Sequence, residues 1–187
     1  MKTLTLVRHT TPLVERGICY GQLDLDVAQN FSAEAGTARN RILPPDLIIA
    51  SPLLRTRKLG KFLADEFGCE LRHDARLMEM HFGDWEGRAW NDIARAEIEA
   101  WSADVQNFAP PNGESAQHVM LRVQAMLQDL ALLPQQNIVL VAHGGSIRAV
   151  LPQLADIPLA HTLGWQIDYG AVIVVRDDCA RQAEACR

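Results

Sequence analysis

The chain has 187 residues, of which 48% are hydrophobic, and its 18 Lys and Arg against 23 Asp and Glu give a formal net charge of −5 at pH 7. This acidic balance, without a basic block, argues against a nucleic-acid or membrane partner. The length favours a single domain over residues 1–187, with enough apolar residues for a full core. No apolar run reaches the ~20 residues of a membrane span or resembles a signal peptide, so we expect a cytoplasmic protein.

The four cysteines predict the same compartment. They are scattered along the chain and form no C-x-x-C pair, so the sequence contains neither a zinc-ligand spacing nor a redox motif. We interpret them as reduced, incidental thiols in a reducing compartment. The four residues are Cys19, Cys69, Cys179 and Cys186.

Short apolar runs alternate with amphipathic helical patterns. One helix is predicted after a possible N-cap at Ser115, and another ends at Gly68. Runs of this kind are typical of strands that are covered on both faces. The alternation predicts an α/β fold, a three-layer sandwich with a mostly parallel sheet flanked by helices. The four runs are Leu4–Val7, Leu47–Ala50, Ile138–Ala142 and Ala171–Val175.

The stretch from Asp74 to Gly113 interrupts this alternation. It holds several glycines and tryptophans and the pair Pro110–Pro111, with a helix expected near Asn91 to Trp101. We interpret residues 74–113 as an excursion on one side of the sheet. Ligands of open α/β sheets bind beyond the carboxyl ends of strands, so we expect the excursion to lie over a site there.

Arg8 and His9 follow the first predicted strand directly, although, taken alone, they are explained better as a polar exit from a buried strand. The segment S-P-L-L-R at Ser51–Arg55 leads from the second strand into a helix, with Ser51 as a good N-cap and Pro52 suited to the first helical position. Arg55 would then lie in the opening turn, where the helix dipole disfavours a cation by about 0.3–1 kcal/mol. This position suggests a bound anion, and a surface carboxylate is the alternative partner.

The segment V-A-H-G-G-S at Val141–Ser146 is a third strand that runs into a helix. Its two glycines, Gly144 and Gly145, allow close approach of the backbone to a ligand and offer N–H groups to an anion. A satisfied structural histidine is the alternative interpretation of His143. The segment lacks the G-K-[ST] of a P-loop, and the chain has no G-x-G-x-x-G fingerprint.

Glu79 stands between two methionines in a loop that is rich in glycine and tryptophan. Burial disfavours the charged form of a carboxyl group, so a partly buried Glu79 is a candidate proton donor. Asp84 and Glu86 compete for this role. The alternative is a solvated loop with an aromatic anchor.

These segments are expected to converge at one edge of the sheet, which would bring together two arginines, two histidines and one carboxylate. Such a set suits phosphoryl transfer to a nitrogen nucleophile. A neutral imidazole attacks phosphorus, and flanking arginines hold the phosphoryl oxygens. Nearby arginines also depress the pKa of an imidazole, which keeps the nucleophile unprotonated near neutral pH.

The four motifs, in this order, resemble those of the histidine phosphatase superfamily, also called phosphoglycerate mutase-like, over nearly the whole chain. L-V-R-H-T at Leu6–Thr10 is similar to the R-H-G signature of that superfamily. Within it, three segments are most similar to the α-ribazole phosphatases, which remove the 5′-phosphate of α-ribazole 5′-phosphate late in cobalamin biosynthesis. These segments are Arg8–Asp24, Ser51–Gly60 and Met80–Trp90.

The resemblance implies five catalytic residues. His9 would be the nucleophile that becomes phosphohistidine, and Glu79 would protonate the leaving alcohol. Arg8, Arg55 and His143 would bind the phosphoryl group.

The resemblance also implies a wider substrate-binding set and a phosphomonoester as the small-molecule partner. The superfamily uses no metal for this chemistry, so no metal and no cofactor are expected, and the protein would be a monomer or a homodimer. The implied substrate-binding residues are Arg8, Arg55, His143, Gly144, Tyr20 and Gly21.

Two positions depart from the pattern of the superfamily. Thr10 replaces the usual glycine after the nucleophile, and Glu15 stands where many relatives carry an asparagine. The compact chain favours net hydrolysis over mutase activity. A broad phosphatase acting on phosphosugars or nucleotides and a catalytically idle phosphate-binding module are the alternatives, and an idle module would need no proton donor such as Glu79.

Overall fold

The computed structural model describes residues 2–176. Five strands form one sheet in the order β3-β2-β4-β1-β5, in which the first four are parallel and β5 pairs antiparallel with β1. The predicted α/β fold with a mostly parallel sheet is confirmed. The strands are β1 (Thr3–Arg8), β2 (Leu47–Ala50), β3 (Glu70–His73), β4 (Asn137–Ala142) and β5 (Val172–Arg176).

Helices cover both faces of this sheet. Leu6 and Ile49 pack in one core with α4 and α5, whereas Val7 and Ile48 pack in a second core with α1 and α2. Successive side chains of a strand point to opposite faces, so these apolar strands are buried only when both faces are covered. The helices of the described residues are α1 (Phe31–Arg39), α2 (Leu54–Phe67), α3 (Arg95–Ala103), α4 (Ala116–Leu132), α5 (Gly144–Ala155) and α6 (Leu159–Leu163).

The start of α2 differs from the prediction. The helix begins at Leu54 with Leu53 at the N-cap, so the prediction that Ser51 caps it was wrong. The carboxylate of Asp24, in the loop between β1 and α1, accepts a hydrogen bond from the backbone N–H of Leu54 and thereby caps the helix. Arg55 nevertheless lies in the first turn, as expected.

Two other elements differ from the predictions. Glu70–His73 forms an edge strand that the sequence analysis missed, because its residues are mostly exposed and show no apolar run. Helix α3 begins at Arg95 rather than near Asn91, since Trp90–Asp92 forms a separate 3₁₀ turn. The predicted end of α2 at Gly68 is confirmed, with a left-handed φ of 64°.

The described cysteines are free thiols. Burial, with a smaller contribution from nearby carboxylates, raises the pKa of Cys19 to about 12, which makes this thiol unreactive. Cys69 is likewise unpaired, whereas Cys179 and Cys186 lie outside the described residues. None of the helices within residues 2–176 combines the length and apolar character that crossing a membrane requires.

The register of the central strands sets the position of the candidate residues. Arg8, the last residue of β1, pairs with Ala142, the last residue of β4, and Ala50 at the end of β2 pairs with Val141. The residues that follow these three strands therefore meet at one edge of the sheet.

Candidate active site

The imidazole rings of His9 and His143 lie side by side at this edge. Their centroids are 5.1 Å apart, and neither side chain has exposed surface. Each histidine directly follows a central parallel strand. The structure thus brings the two histidines singled out in the sequence into one buried cluster.

One nitrogen of the His9 ring is held by a hydrogen bond, and the other has no hydrogen-bond partner among the described residues. Nδ1 lies 2.7 Å from the carbonyl oxygen of Thr10. A carbonyl oxygen can only accept, so Nδ1 carries the hydrogen and Nε2 of the neutral ring carries the lone pair. Nε2 is buried and has no hydrogen-bond partner in the described part of the chain.

The environment of His9 keeps this lone pair unprotonated. Burial lowers the pKa of His9 well below its usual value, and the positive charges of Arg55 and Arg8 lower it further, against an opposing effect of the Thr10 hydrogen bond. The ring is therefore neutral near neutral pH, which is the state that a nucleophilic imidazole needs.

Arg55 is fully buried and is oriented by the loop that precedes α1. Its Nη1 and Nη2 atoms donate to the carbonyl oxygens of Leu23 and Gly21, each at 2.7 Å. The Tyr20 ring lies 5.2 Å from its guanidinium carbon. Nε is buried without a partner among residues 2–176 and is free to bind a ligand.

Arg8 is half-buried and is held from two sides. Its Nη1 atom donates to the carbonyl oxygen of Ile167, and its guanidinium carbon lies 4.1 Å from the centre of the Tyr169 ring. A Cβ on Gly144 would lie 3.6 Å from that carbon, so the start of α5 packs against the guanidinium. The Nε atom of Arg8 has no partner among the residues described.

Within residues 2–176, neither of these two guanidiniums forms an ion pair with a carboxylate. The ion pairs found within residues 2–176 all involve other arginines and lysines. Burial of a cation without a direct ion pair is costly, so the arrangement of Arg8 and Arg55 is the one expected for an anion-binding site. In the same part of the chain, no three His, Cys, Asp or Glu side chains are grouped so that they could hold a metal ion.

Glu79 is 9% exposed, and its carboxylate lies against the start of α5. Oε1 accepts a hydrogen bond from the Met80 N–H at 2.9 Å, and Oε2 accepts one from the Gly145 N–H at 3.1 Å. The backbone carbonyl of Glu79 accepts further bonds from Gln22 and Arg122. The loop that carries Glu79 is thus tied to the element that follows His143.

The two competing carboxylates have other hydrogen-bond partners. The exposed side chain of Asp84 accepts bonds from Asn112, on the far side of the excursion. Oε1 of Glu86 accepts the backbone N–H groups of Gln22 and Phe82, each at 2.9 Å. Both carboxylates therefore connect loops, and the contact with α5 belongs to Glu79.

Thr10 and Glu15, the two residues that depart from the pattern of the superfamily, lie in different surroundings. Thr10 is fully buried, and its carbonyl oxygen is the acceptor that orients His9. Its Oγ1 atom has no hydrogen-bond partner in the described chain. Glu15 is exposed, and no hydrogen bond or ion pair within residues 2–176 joins it to the histidines or arginines of the site.

Three residues at the site were missed in the sequence. Ser51, interpreted there as a helix cap, places its Oγ 2.8 Å from Nε2 of His143. Tyr169 lies three residues before the start of β5, and its ring centre lies 5.4 Å from that of His9. Arg148 lies one turn beyond Gly144, and its Nε and Nη2 atoms donate to the Trp165 carbonyl oxygen. The periodicity of α5 would have placed Arg148 on the face of Gly144.

A cavity of about 230 Å³ opens beside Glu79 and Gly145. Its walls come from the excursion and from α4, α5 and α6, and they are largely apolar. Nε1 of Trp101 is a buried donor with no partner among the described residues. The lining residues are Glu79, Met80, Phe82, Trp101, Val105, Ala116, Val119, Gly145, Arg148, Ala149, Leu159 and Leu163.

Comparisons with known proteins agree with this arrangement. The sequence model of the histidine phosphatase superfamily (branch 1) matches residues 4–184. A protein of Hydrogenobacter thermophilus named “Putative phosphoserine phosphatase 2” is 31% identical to this chain, and the match covers 92% of this chain and 88% of that protein. The adenosylcobalamin/alpha-ribazole phosphatase of Salmonella typhimurium is 29% identical, with 89% and 86% covered. The structure of a mycobacterial glucosyl-3-phosphoglycerate phosphatase superposes with a TM-score of 0.82 at 28% identity, with 92% and 89% covered.

Proposed function

Since this chain belongs to the histidine phosphatase superfamily and is a phosphatase of that family, we propose that it hydrolyses phosphomonoesters through a phosphohistidine at His9, with α-ribazole 5′-phosphate as the preferred substrate. The observation that carries the proposal is the unpartnered Nε2 of a neutral His9 beside two guanidiniums that form no ion pair within residues 2–176. A dianionic phosphoryl group supplies the missing negative charge and presents phosphorus to the lone pair.

The first step transfers the phosphoryl group to His9. Nε2 forms a bond to phosphorus as the bond from phosphorus to the ester oxygen breaks, and Arg8, Arg55 and His143 hold the phosphoryl oxygens. Glu79 acts as the general acid and gives a proton to the departing oxygen, so the alcohol leaves neutral. The enzyme then holds phosphohistidine and a Glu79 carboxylate.

The second step restores the enzyme. Water attacks phosphorus as the bond from phosphorus to Nε2 breaks, and Glu79 accepts a proton from that water. Inorganic phosphate leaves, and His9 returns to its neutral state with the hydrogen still on Nδ1. The backbone N–H of Gly144 adds a phosphate contact in this scheme.

The cavity beside Glu79 is the proposed place for the leaving alcohol, with Tyr20 and Gly21 at the mouth of the site. α-Ribazole is a benzimidazole riboside, so it combines a flat apolar ring with ribose oxygens. The apolar walls suit the ring, and the Arg148 guanidinium can donate to oxygens. Five of the residues that line the cavity, from Glu79 to Val105, belong to the excursion. They support the further proposal that the chain is a single domain in which residues 74–113 cover the active site.

Other substrates of the named relatives fit these walls less well. Phosphoserine and glucosyl-3-phosphoglycerate carry charged groups or several hydroxyls, and Arg148 is the sole cationic side chain that lines the cavity within residues 2–176. A broad phosphatase acting on phosphosugars or nucleotides is the alternative. The cytoplasmic location, the role in cobalamin biosynthesis and the monomeric or dimeric state stay predictions.

The test compares kcat/KM for α-ribazole 5′-phosphate and ribose 5-phosphate, which share the phosphorylated sugar and differ in the base. Burial of the base, at about 1.5–3 kcal/mol, predicts a preference of about 10- to 150-fold. Phosphoserine, glucosyl-3-phosphoglycerate and a nucleoside monophosphate complete the panel, and excess chelator should leave all rates unchanged. Equal values for the first two substrates would refute the substrate assignment, and absence of turnover on every phosphomonoester would refute the phosphatase.

A pair of variants ties the preference to the cavity. Trp101→Ala removes an aromatic wall and should lower kcat/KM for α-ribazole 5′-phosphate more than for ribose 5-phosphate. Leu132→Ala is the matched control, because Leu132 is 85% exposed on α4 and takes no part in the cavity. If Trp101→Ala keeps the wild-type preference for α-ribazole 5′-phosphate over ribose 5-phosphate, the base of the substrate does not bind in this cavity.

A further inference from the structure

Ser51 and His143 are joined by a buried hydrogen bond beneath the site. Oγ of Ser51 lies 2.8 Å from Nε2 of His143, and neither residue has exposed surface. The bond is possible because Ser51 follows β2, whose neighbour in the sheet is β4, the strand that ends just before His143. The late start of α2 at Leu54 leaves the hydroxyl of Ser51 free for this contact.

The hydrogen-bonding capacity of Ser51 sets the direction of the bond. Its Oγ already accepts a weak bond, at 3.5 Å, from the backbone N–H of Leu53. Among residues 2–176, the hydroxyl hydrogen has no acceptor other than Nε2 of His143. If the ring donated to Oγ instead, the hydroxyl would be a buried donor without an acceptor. Ser51 therefore donates, and Nε2 carries the lone pair.

This direction places the hydrogen of the neutral His143 ring on Nδ1. That atom is buried and has no hydrogen-bond partner in the described chain. Burial lowers the pKa of His143 well below its usual value, and His9 and Arg55 lower it further, so the ring stays neutral near pH 7. A neutral ring can donate to an anion only from the nitrogen that carries its hydrogen, because the other presents a lone pair.

We propose that Ser51 is a positioning residue that holds His143 in the tautomer with the hydrogen on Nδ1, so that the neutral ring donates a hydrogen bond to the phosphoryl group. The identity of the anion rests on the proposed function. The tautomer is a property of the free protein and is tested without any substrate.

The direct test is nuclear magnetic resonance on wild-type protein that contains ¹⁵N-labelled histidine, at about pH 7. The long-range couplings of the His143 ring protons distinguish a protonated from an unprotonated nitrogen. The expected result is a protonated Nδ1 and an unprotonated Nε2. A hydrogen on Nε2, or a doubly protonated ring, would overturn the proposal, and neither result depends on how a variant folds.

Two variants separate positioning from packing. Ser51→Ala should populate the other tautomer, lower kcat/KM by about 10- to 100-fold and weaken inhibition by inorganic phosphate to a similar extent. Ser51→Thr keeps a hydroxyl and should restore the tautomer. Ser146→Ala is the matched control, because the hydroxyl of this buried serine bonds the backbone N–H and C=O of His143 and not its ring.

The outcomes distinguish this proposal from the proposed function. An unchanged tautomer in Ser51→Ala, or an equal change in Ser146→Ala, would show that Ser51 does not set the ring. If the wild type has the expected tautomer but hydrolyses no phosphomonoester, the proposed function fails and the role of Ser51 in setting the ring stands.

Discussion

The Gly145 N–H donates a hydrogen bond of 3.1 Å to the Glu79 carboxylate, and the absence of a side chain at residue 145 leaves room for that carboxylate. A Cβ at that position would lie 2.2 Å from Oε1 of Glu79. The second glycine after His143 therefore makes room for the proposed proton donor.

Replacing Gly145 by alanine should displace Glu79 and lower kcat for alkyl phosphates by about 100-fold, as expected for loss of general acid catalysis. Inhibition by inorganic phosphate should change little, because the arginines stay in place. Gly36→Ala in α1 is the matched control, since a Cβ there meets no atom within 4 Å. A Gly145→Ala enzyme with wild-type kcat would show that Glu79 need not occupy this position.

Glu79→Gln should slow the hydrolysis of an ester more strongly when its leaving group needs a proton to depart. We expect a loss of about 10²–10⁴ in kcat/KM for an alkyl phosphate and a far smaller loss for p-nitrophenyl phosphate, whose phenolate leaves unprotonated. Asp84→Asn and Glu86→Gln are the matched controls. The role of proton donor would belong to another carboxylate if Glu79→Gln slowed the hydrolysis of both esters equally. The same would follow if a control variant slowed the alkyl phosphate much more than p-nitrophenyl phosphate.

Tyr169 should act on phosphate affinity through Arg8. A cation over an aromatic ring is stabilised by about 0.5–2 kcal/mol, so Tyr169→Ala should raise KM and the inhibition constant of inorganic phosphate by about 2- to 30-fold. Tyr169→Phe keeps the ring and loses only the hydrogen bond of 3.1 Å between the hydroxyls of Tyr20 and Tyr169. Equal impairment of both variants would assign the effect to the hydroxyl pair instead of the ring.

Folding should become sensitive to acid through the two buried histidines. Their folded-state pKa values lie below the usual value near 6.5, so the unfolded chain takes up protons first as the pH falls. The free energy of unfolding should therefore decrease below about pH 6.5, by up to ~1.4 kcal/mol per pH unit for each histidine. Urea titrations at several pH values should show a shallower decrease for His9→Asn than for the surface variant His161→Gln, and identical pH profiles would contradict this prediction.

The central strands and the residues that follow them could be predicted because both signals are local. A buried parallel strand requires an apolar run, and the polar residues after Val7 and Ala142 contrast sharply with it. Since parallel strands end at a common edge, the sequence predicted that His9 and His143 lie at one edge of the sheet. Their direct contact also requires that β1 and β4 be neighbours, which the structure shows.

The residues that support these histidines depend on contacts between distant segments. Tyr169 reaches the site because β5 runs antiparallel to β1, so that the start of β5 lies beside the end of β1. The direction of a short apolar strand cannot be read from its composition. In the sequence, Ser51 is a good candidate for the helix cap. The structure shows that Asp24, 30 residues away, caps the helix instead, and that contact cannot be predicted from the local sequence.

The most direct test of the account is to trap the phosphoryl enzyme. Wild-type protein mixed with ³²P-labelled substrate and quenched in base within milliseconds should carry about one label per chain. The label should be lost in acid, as expected for phosphohistidine, and mass spectrometry should place it on His9. His9→Asn should fold and carry no label. Absence of label in the wild type, or a label that persists in His9→Asn, would contradict the assignment of His9 as the nucleophile.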